Sequence, residues 1–330
     1  MNQDAKIFVA GHRGLMGSAL VRALRAARFT NLLLRTHSEL DLTNQELTEK
    51  FFEEECPEYV FLAAAKVGGI LANSEFPAEF IHENLRIQTN VIHQAYKCGV
   101  KRLLFLGSSC VYPKHAPQPI KEEYLLTGPL EVTNRAYALA KISGIEMCSA
   151  YNRQHGTSFI AAMPTNLYGP NDNYDLQSSH VVPATIRKIH EAKLKRSPSV
   201  VLWGTGTPRR EFLHSDDAAE ACICLMNLPQ ERATELAHRN DDALPLVNIG
   251  SGSDVSIREL AECVAAVADF GGGLVFDSSK PDGTPRKLLD VDLMRSLGWR
   301  PKTSLREGIA TTYREYALNS SRRSPDTRSE

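Results

Sequence analysis

Lys6-Ile7-Phe8-Val9-Ala10-Gly11-His12-Arg13-Gly14-Leu15-Met16-Gly17 passes from a short apolar run into three glycines spaced G-x-x-G-x-x-G. The run Lys6–Ala10 contains β-branched residues and predicts a buried strand, and the stretch from Leu15 to Arg28 predicts a helix. Each glycine has a task in such a strand–loop–helix unit. Gly11 permits the tight turn, Gly14 lets the backbone approach a pyrophosphate, and Gly17 lets helix and strand pack closely. The helix start adds free N–H groups and the positive end of a dipole. The spacing is looser than G-x-G-x-x-G, so its place between strand and helix carries the reading of a dinucleotide site. No Gly-Lys-Ser/Thr follows, which excludes a nucleotide-triphosphatase phosphate loop.

The second strand, Asn31 to Leu34, runs into Arg35-Thr36-His37. Selection of an unphosphorylated dinucleotide usually places Asp or Glu there to hold the ribose hydroxyls. Here Arg35 and His37, with Arg13 in the glycine loop, present cations that suit a 2′-phosphate, so the expected cofactor is NADP(H). Glu39 and Asp41 are the competing acids. Further strands are predicted at Glu58–Ala63, Arg102–Gly107 and Ser158–Met163. Helices are predicted at Thr43–Glu55, Pro77–Cys98 and Thr133–Gln154. The alternation predicts an α/β fold, a Rossmann-type doubly wound parallel sheet with helices on both faces. Right-handed crossovers then gather the glycine loop, Arg35, Lys66-Val67-Gly68-Gly69, Ser108 and Thr165-Asn166 along one sheet edge.

The pattern loosens from Gly169. A helix is predicted over 181–196, a strand at Ser199–Leu202, and a helix at Leu213–Asn227 capped by Ser215. A strand at Val247–Gly250 and a helix at Ser256–Ala268 capped by Ser256 follow. The expected organisation is a cofactor-binding domain over 1–168, to which the chain returns near 210–250. A smaller C-terminal α/β substrate-binding lobe spans mainly 169–318. The tail 319–330 has no apolar residue and is expected to be disordered.

Tyr137 and Lys141 stand four residues apart in Thr133-Asn134-Arg135-Ala136-Tyr137-Ala138-Leu139-Ala140-Lys141, on one face of the predicted helix. A free phenol has a pKa near ~10, and a neighbouring ammonium is expected to lower it into working range. Ser108, after the apolar run Leu103–Gly107, supplies a second hydroxyl for the same carbonyl oxygen.

A chain of 330 residues with net charge −1 offers no electrostatic case for nucleic acid or an anionic membrane surface. No apolar stretch approaches the ~20 residues that span a bilayer. The first strand follows Met1 closely and leaves no room for a signal peptide, so a cytoplasmic location is expected. Seven cysteines, spread without a Cys-x-x-Cys pair, read as reduced thiols and show no zinc-ligand spacing.

Several strings extend these observations. They are Ala63-Ala64-Ala65-Lys66-Val67-Gly68-Gly69-Ile70, Leu106-Gly107-Ser108-Ser109-Cys110-Val111-Tyr112-Pro113 and Met163-Pro164-Thr165-Asn166-Leu167-Tyr168-Gly169-Pro170. Trp203-Gly204-Thr205-Gly206-Thr207-Pro208 and Lys280-Pro281-Asp282-Gly283-Thr284-Pro285-Arg286-Lys287 complete them. From Lys6 to Tyr316 the chain resembles the extended short-chain dehydrogenase/reductase family, which acts on nucleotide sugars. The resemblance implies a reductase triad of Ser108, Tyr137 and Lys141, with Cys110 and His180 as the acid/base pair of two epimerisations. It implies a GDP-sugar substrate, GDP-4-keto-6-deoxy-D-mannose, epimerised at C3 and C5 and then reduced at C4 with NADPH. Cofactor contacts are implied first at Gly11, His12, Arg13, Gly14, Leu15, Met16 and Gly17. Others are Arg35, His37, Asp41 and Leu42 after the second strand, and Leu106, Gly107 and Ser109 at the end of the fourth. Pro164, Thr165, Asn166 and Leu167, together with Lys141 and His180, complete the cofactor set. Lys188, Trp203, Arg210 and Asp282 are the implied substrate contacts. A homodimer built as a four-helix bundle from helices 77–98 and 133–154 of each subunit is also implied.

The chain departs from the family pattern in three places. His37 stands where a second arginine is frequent, and Arg135-Ala136 stands where an acidic or bulky residue is frequent. The stretch Tyr174-Asp175-Leu176-Gln177-Ser178-Ser179 replaces a Phe-His-Pro…Asn-Ser run before His180. Two other readings compete. One is a related 4-epimerase or 4,6-dehydratase, which would hold NAD tightly and lack the Cys110/His180 pair. The other is a non-catalytic NADPH-binding regulatory protein.

Overall fold

The computed structural model describes residues 1–238, 244–280 and 282–323. In its first half, β1 (Ile7–Ala10), β2 (Leu32–Leu33), β3 (Tyr59–Leu62), β4 (Arg102–Leu106) and β5 (Phe159–Pro164) alternate with five helices. These are α1 (Leu15–Ala26), α2 (Gln45–Glu55), α3 (Ile70–Glu75), α4 (Pro77–Lys97) and α5 (Arg135–His155). The second half continues through β6 (Asn166–Tyr168), α6 (Val181–Leu194), β7 (Ser199–Trp203), β8 (Arg209–His214), α7 (Ser215–Met226) and α8 (Gln230–Ala237). It ends with β9 (Leu246–Ile249), β10 (Asp254–Ser256), α9 (Ile257–Ala268), β11 (Gly273–Asp277), β12 (Arg286–Lys287), α10 (Asp292–Ser296) and α11 (Leu305–Arg323).

The central sheet has the order β2-β1-β3-β4-β5-β9, and every pairing in it is parallel. Such a sheet is covered on both faces, which is why its strands read as unbroken apolar runs. Phe8, Leu62, Leu103 and Ala161 point to one side, against Phe52 of α2, Val91 of α4 and Ile145 of α5. Val9, Phe61, Leu104 and Ile160 point to the other, against Leu20 of α1 and Ala218 and Cys222 of α7. The strand order reverses between β1 and β3, and the crevice above their C-terminal ends is where open α/β sheets bind ligands. A third core joins Ile186 and Ile189 of α6 to Val264 of α9 and Ile309 of α11, and forms the smaller lobe. Two small sheets belong to that lobe, β10-β8-β12 with β6 beside β8, and the pair β11-β7.

Two expectations change. Leu213 and His214 are not helical: they pair with Leu167 and Tyr168 as the end of β8. The helix starts at Ser215, and the His214 imidazole, rather than Ser215, accepts the Asp216 N–H at 3.3 Å. The tail does not become irregular at Asn319, because α11 continues to Arg323. Ser320 Oγ is shared there between the Ala317 carbonyl and His190 Nε2, a tertiary contact that composition does not reveal. The rest of the predicted tail, 324–330, lies outside the described residues. Ser256 does cap α9, as half of a reciprocal capping box with Glu259.

All seven cysteines are free thiols. Among the described residues no group of His, Cys, Asp and Glu is arranged to hold a metal, and no helix is long and apolar enough to cross a membrane.

α5 approaches β4 very closely. A Cβ on Gly144 would lie 2.4 Å from Cζ of Phe105. Overpacking of this kind costs roughly 1–3 kcal/mol. Gly144→Ala is therefore expected to lower the unfolding free energy by that amount, read as a lower urea midpoint at unchanged slope; an unchanged midpoint would mean that the helix does not need this close contact.

Candidate active site

β4 delivers its C-terminal end into the crevice. Gly107 follows it, at a point where a Cβ would lie 2.0 Å from Cε of Met163. Ser108 comes next and caps a short 3₁₀ turn, Ser109–Val111, its hydroxyl accepting the Cys110 N–H at 3.3 Å. That cap holds the half-buried Cys110 thiol at a set offset from the Ser108 hydroxyl. α5 brings up the other partners. Lys141 is buried, donates from Nζ to the Leu106 carbonyl at 2.8 Å and lies 4.7 Å from the centre of the Phe105 ring. Tyr137, one turn earlier, is buried edge-on against Phe80 at 6.2 Å and shares a hydrogen bond with Ser108.

The electrostatics differ from the sequence expectation. Burial raises the Tyr137 phenol well above its ordinary range and the nearby Cys110 adds to that, while the hydrogen bond from Ser108 opposes both. Lys141 is itself pulled down to about 7 by burial. Its Nζ stays 5.9 Å from the centre of the Tyr137 ring and spends its hydrogen bond on main chain. Desolvation, rather than the ammonium, therefore sets the phenol.

The smaller lobe contributes a second group. Arg210 lies within electrostatic range of both Cys110 and Asp282, and burial lowers its pKa. Asp282 accepts the Thr205 N–H at 2.8 Å and the Thr205 hydroxyl at 2.7 Å, so it pins the loop that follows Trp203. Trp203 is 53% exposed, with Lys188 Nζ 5.3 Å and Lys280 Nζ 5.6 Å from its ring centre. Lys188, Trp203, Arg210 and Asp282 thus line one wall. His180 stands at the N-terminal end of α6, open to solvent. The mass of protein around the ring still depresses the imidazole below its ordinary range.

The glycine loop forms a cradle. Gly11 has φ +80°, and a Cβ there would lie 2.8 Å from Ala64; one on Gly17 would lie 2.0 Å from the Gly11 carbonyl. No side chain caps α1, so its first N–H groups remain open toward the crevice. The His12 Nδ1 is buried without a partner beside this loop, a further opening for a polar ligand atom. These features fit a dinucleotide. Arg13 is exposed at the rim. Arg35 already has an anion, Glu55 at 2.6 Å, and lies over the Phe51 ring, so its charge is shared. His37 is exposed, with Nδ1 3.8 Å from Asp41. The competing acids close their own turns: Glu39 accepts the N–H and hydroxyl of Thr36, and Asp41 those of Thr43. Leu42 is buried, its carbonyl held by Asn90. Thr165 and Asn166 both donate to the Glu211 carbonyl, which fixes the segment between Pro164 and Leu167.

Sequence spacing does not reveal two supporting residues. Asn84 of α4 accepts the Lys66 N–H and donates to the Lys66 carbonyl, each at 3.0 Å, and so shapes the loop after β3. Glu211 is fully buried, accepting from Gly252 N at 2.6 Å and Leu289 N at 3.0 Å. Neither residue carries a local signal, since a polar side chain within an amphipathic element reads as solvent-facing.

The match to the NAD dependent epimerase/dehydratase family covers residues 7–237. The chain is 59% identical to GDP-L-fucose synthase 1 of Arabidopsis thaliana, over 96% of this chain and 95% of that protein. It is 50% identical to GDP-L-fucose synthase of Escherichia coli K12, over 96% and 98%. A GDP-D-glycero-L-gluco-heptose synthase from Campylobacter jejuni, crystallised in the presence of NADPH, superposes with a TM-score of 0.88 at 41% identity, over 96% of this chain and 99% of that one. With the parallel sheet, the glycine cradle and the Ser108–Tyr137–Lys141 cluster already in place, these similarities settle the matter: the chain belongs to the NAD dependent epimerase/dehydratase family.

Proposed function

We propose that the protein converts GDP-4-keto-6-deoxy-D-mannose to GDP-L-fucose, by epimerisation at C3 and C5 followed by NADPH-dependent reduction at C4. The observation that carries this reading is the convergence of Ser108, Cys110 and Tyr137 at the end of β4, with Arg210 within electrostatic range of the thiol. The near-full-length similarity to GDP-L-fucose synthases supports it. The readings as an NAD-retaining epimerase or dehydratase and as a non-catalytic module are less favoured, because neither has a use for Cys110.

A ketone at C4 acidifies the hydrogens on C3 and C5. Inversion at either carbon needs a base on one face of the ring and an acid on the other, with pKa values near neutrality. A thiol and an imidazole can exchange protons in this way, and Cys110 and His180 supply them here. Ser108 and Tyr137 would hold the oxyanion that forms at C4. When bound, NADPH supplies the hydride for C4, and the chain's part is to deliver a proton to O4. The raised pKa of Tyr137 keeps that proton on the phenol until an alkoxide, a far stronger base, is generated beside it.

Gly11 to Gly17 and the start of α1 would bind the cofactor's pyrophosphate, Arg13 and His37 its 2′-phosphate, and Lys141 its nicotinamide ribose. Arg210 and Lys188 would take the GDP diphosphate, since cations pair strongly with phosphate oxygens. Trp203 would pack on the substrate from the same wall. We place the enzyme in the cytoplasm as a homodimer, with α4 and α5 of each subunit forming a four-helix bundle. Leu139, 42% exposed on α5, suits such a contact.

Tyr137→Phe should cut NADPH oxidation by roughly 10²–10⁴, while exchange of the C3 and C5 hydrogens with D₂O, followed by NMR, persists. Equal loss of both would reassign Tyr137. In Cys110→Ser, exchange should fall by a similar factor with GDP-sugar affinity retained, and an unaltered exchange rate would take the thiol out of the mechanism. His37→Arg should raise the NADPH-over-NADH ratio of kcat/KM by roughly two- to fivefold, the range of an exposed ion pair. No shift in that ratio would remove His37 from the 2′-phosphate site.

A further inference from the structure

His180 sits on the smaller lobe, whereas the phenol, on α5, and the thiol, in the turn after β4, sit beside the central sheet. The segment before it is joined to the sheet by main chain. The Gly69 N–H, in the loop after β3, donates to the Ser178 carbonyl at 2.8 Å. A Cβ on Gly69 would lie 2.7 Å from the Ser179 carbonyl. Gly69 has φ −66° and ψ −178°, a conformation open to any residue, so close approach alone is what favours glycine.

Both sides of this clasp are braced. On the sheet side, Asn73 donates to the carbonyls of Gly68 and Gly69 at 2.8 and 3.0 Å. Gly68 lies against Phe80, whose ring meets Tyr137. On the lobe side, one Asp175 carboxylate oxygen accepts from Gln177 N, Ser178 N and Ser178 Oγ, each at 3.0 Å. The Asp175 carbonyl takes the Ser179 N–H at 2.8 Å, and Asn173 Nδ2 holds Ser178 Oγ at 2.9 Å. The Ser179 hydroxyl is buried without a partner, so that side chain does not anchor the segment. His180 follows directly, and its carbonyl accepts the Ala184 N–H at 3.1 Å as α6 begins. The same strap reaches the substrate wall through Ile70, whose Cδ1 lies 3.6 Å from the Cβ position of Gly283, a point that Arg210 also approaches within 3.4 Å.

We propose that Gly69 is a positioning residue for epimerisation, its close main-chain approach to Ser178 and Ser179 setting where the His180 imidazole stands relative to the residues on β4 and α5. The clasp reads carbonyls rather than side chains on the lobe. It therefore does not depend on the side chains of Leu176 and Gln177. The inference rests on the epimerase/reductase reading above and deepens it.

Gly69→Ala tests it through two readouts. Misplacement by about 1 Å costs on the order of 100-fold, so deuterium exchange at C3 and C5 of GDP-4-keto-6-deoxy-mannose should fall by about that factor. NADPH affinity and the thermal midpoint should change far less than exchange. An NMR titration of the His180 ring, which needs no turnover, should move upward toward the ordinary histidine range as the segment lifts from surrounding protein. Asn73→Ala, which leaves the Gly69 N–H in place, should move both readouts the same way but less. Wild-type exchange together with a wild-type titration in Gly69→Ala would overturn the proposal. So would a parallel loss of exchange, cofactor affinity and thermal midpoint, which marks a structural role only. Absence of exchange in the wild type, with the titration still displaced by Gly69→Ala, would sink the functional reading and leave the clasp standing.

Discussion

The close packing of α5 on β4 is the constraint on which the rest of the site depends. With no side chain at Gly144, the helix backbone settles onto the Phe105 ring. Lys141 then reaches the carbonyl of Leu106, the last residue of the strand, and one turn earlier Tyr137 meets Ser108 just beyond it. A helix displaced outward by a methyl group would keep its residues and its periodicity yet lose these contacts. Interiors packed as densely as crystals transmit such displacements rather than absorbing them.

That packing also sets the electrostatic character of the site. Moving a phenol and an ammonium out of water disfavours the charged form of each, so their pKa values shift in opposite directions. The phenol holds its proton firmly, and the lysine gives up its proton more readily than an exposed one would. A donor so arranged releases its proton to a strong base formed beside it and not to bulk water. Sequence spacing suggests an acidified tyrosine; burial makes it a reserved one.

Hydrogen bonds with at least one end on main chain link the two lobes at several points near the crevice. Thr165 and Asn166 hold the Glu211 carbonyl, the Glu211 carboxylate gathers Gly252 and Leu289, and the Gly69 N–H reaches Ser178. Backbone-directed bonds of this kind leave neighbouring side chains free to vary. They also keep residues from distant parts of the chain in register, as a reaction on opposite faces of one sugar ring requires.

The doubly wound sheet was legible in the sequence because a parallel sheet covered on both faces demands continuous apolar strands, and turn residues punctuate the alternation. The strand–glycine–helix opening, the Tyr137/Lys141 helix face and the place of Ser108 and Cys110 after a strand could be read for the same local reason. Where the chain leaves regular alternation, local pattern misleads: Leu213 and His214 fall in a helix-like run and acquire strand geometry only from pairing with β6. The persistence of α11 beyond Asn319 likewise needs a partner, His190, that is remote in sequence. Local pattern thus determined which elements form and which edge of the sheet carries the chemistry. The phenol's pKa, the pairing of Arg35 with Glu55 and the seating of His180 arise from burial and from contacts between distant segments, and only the tertiary structure brings those together.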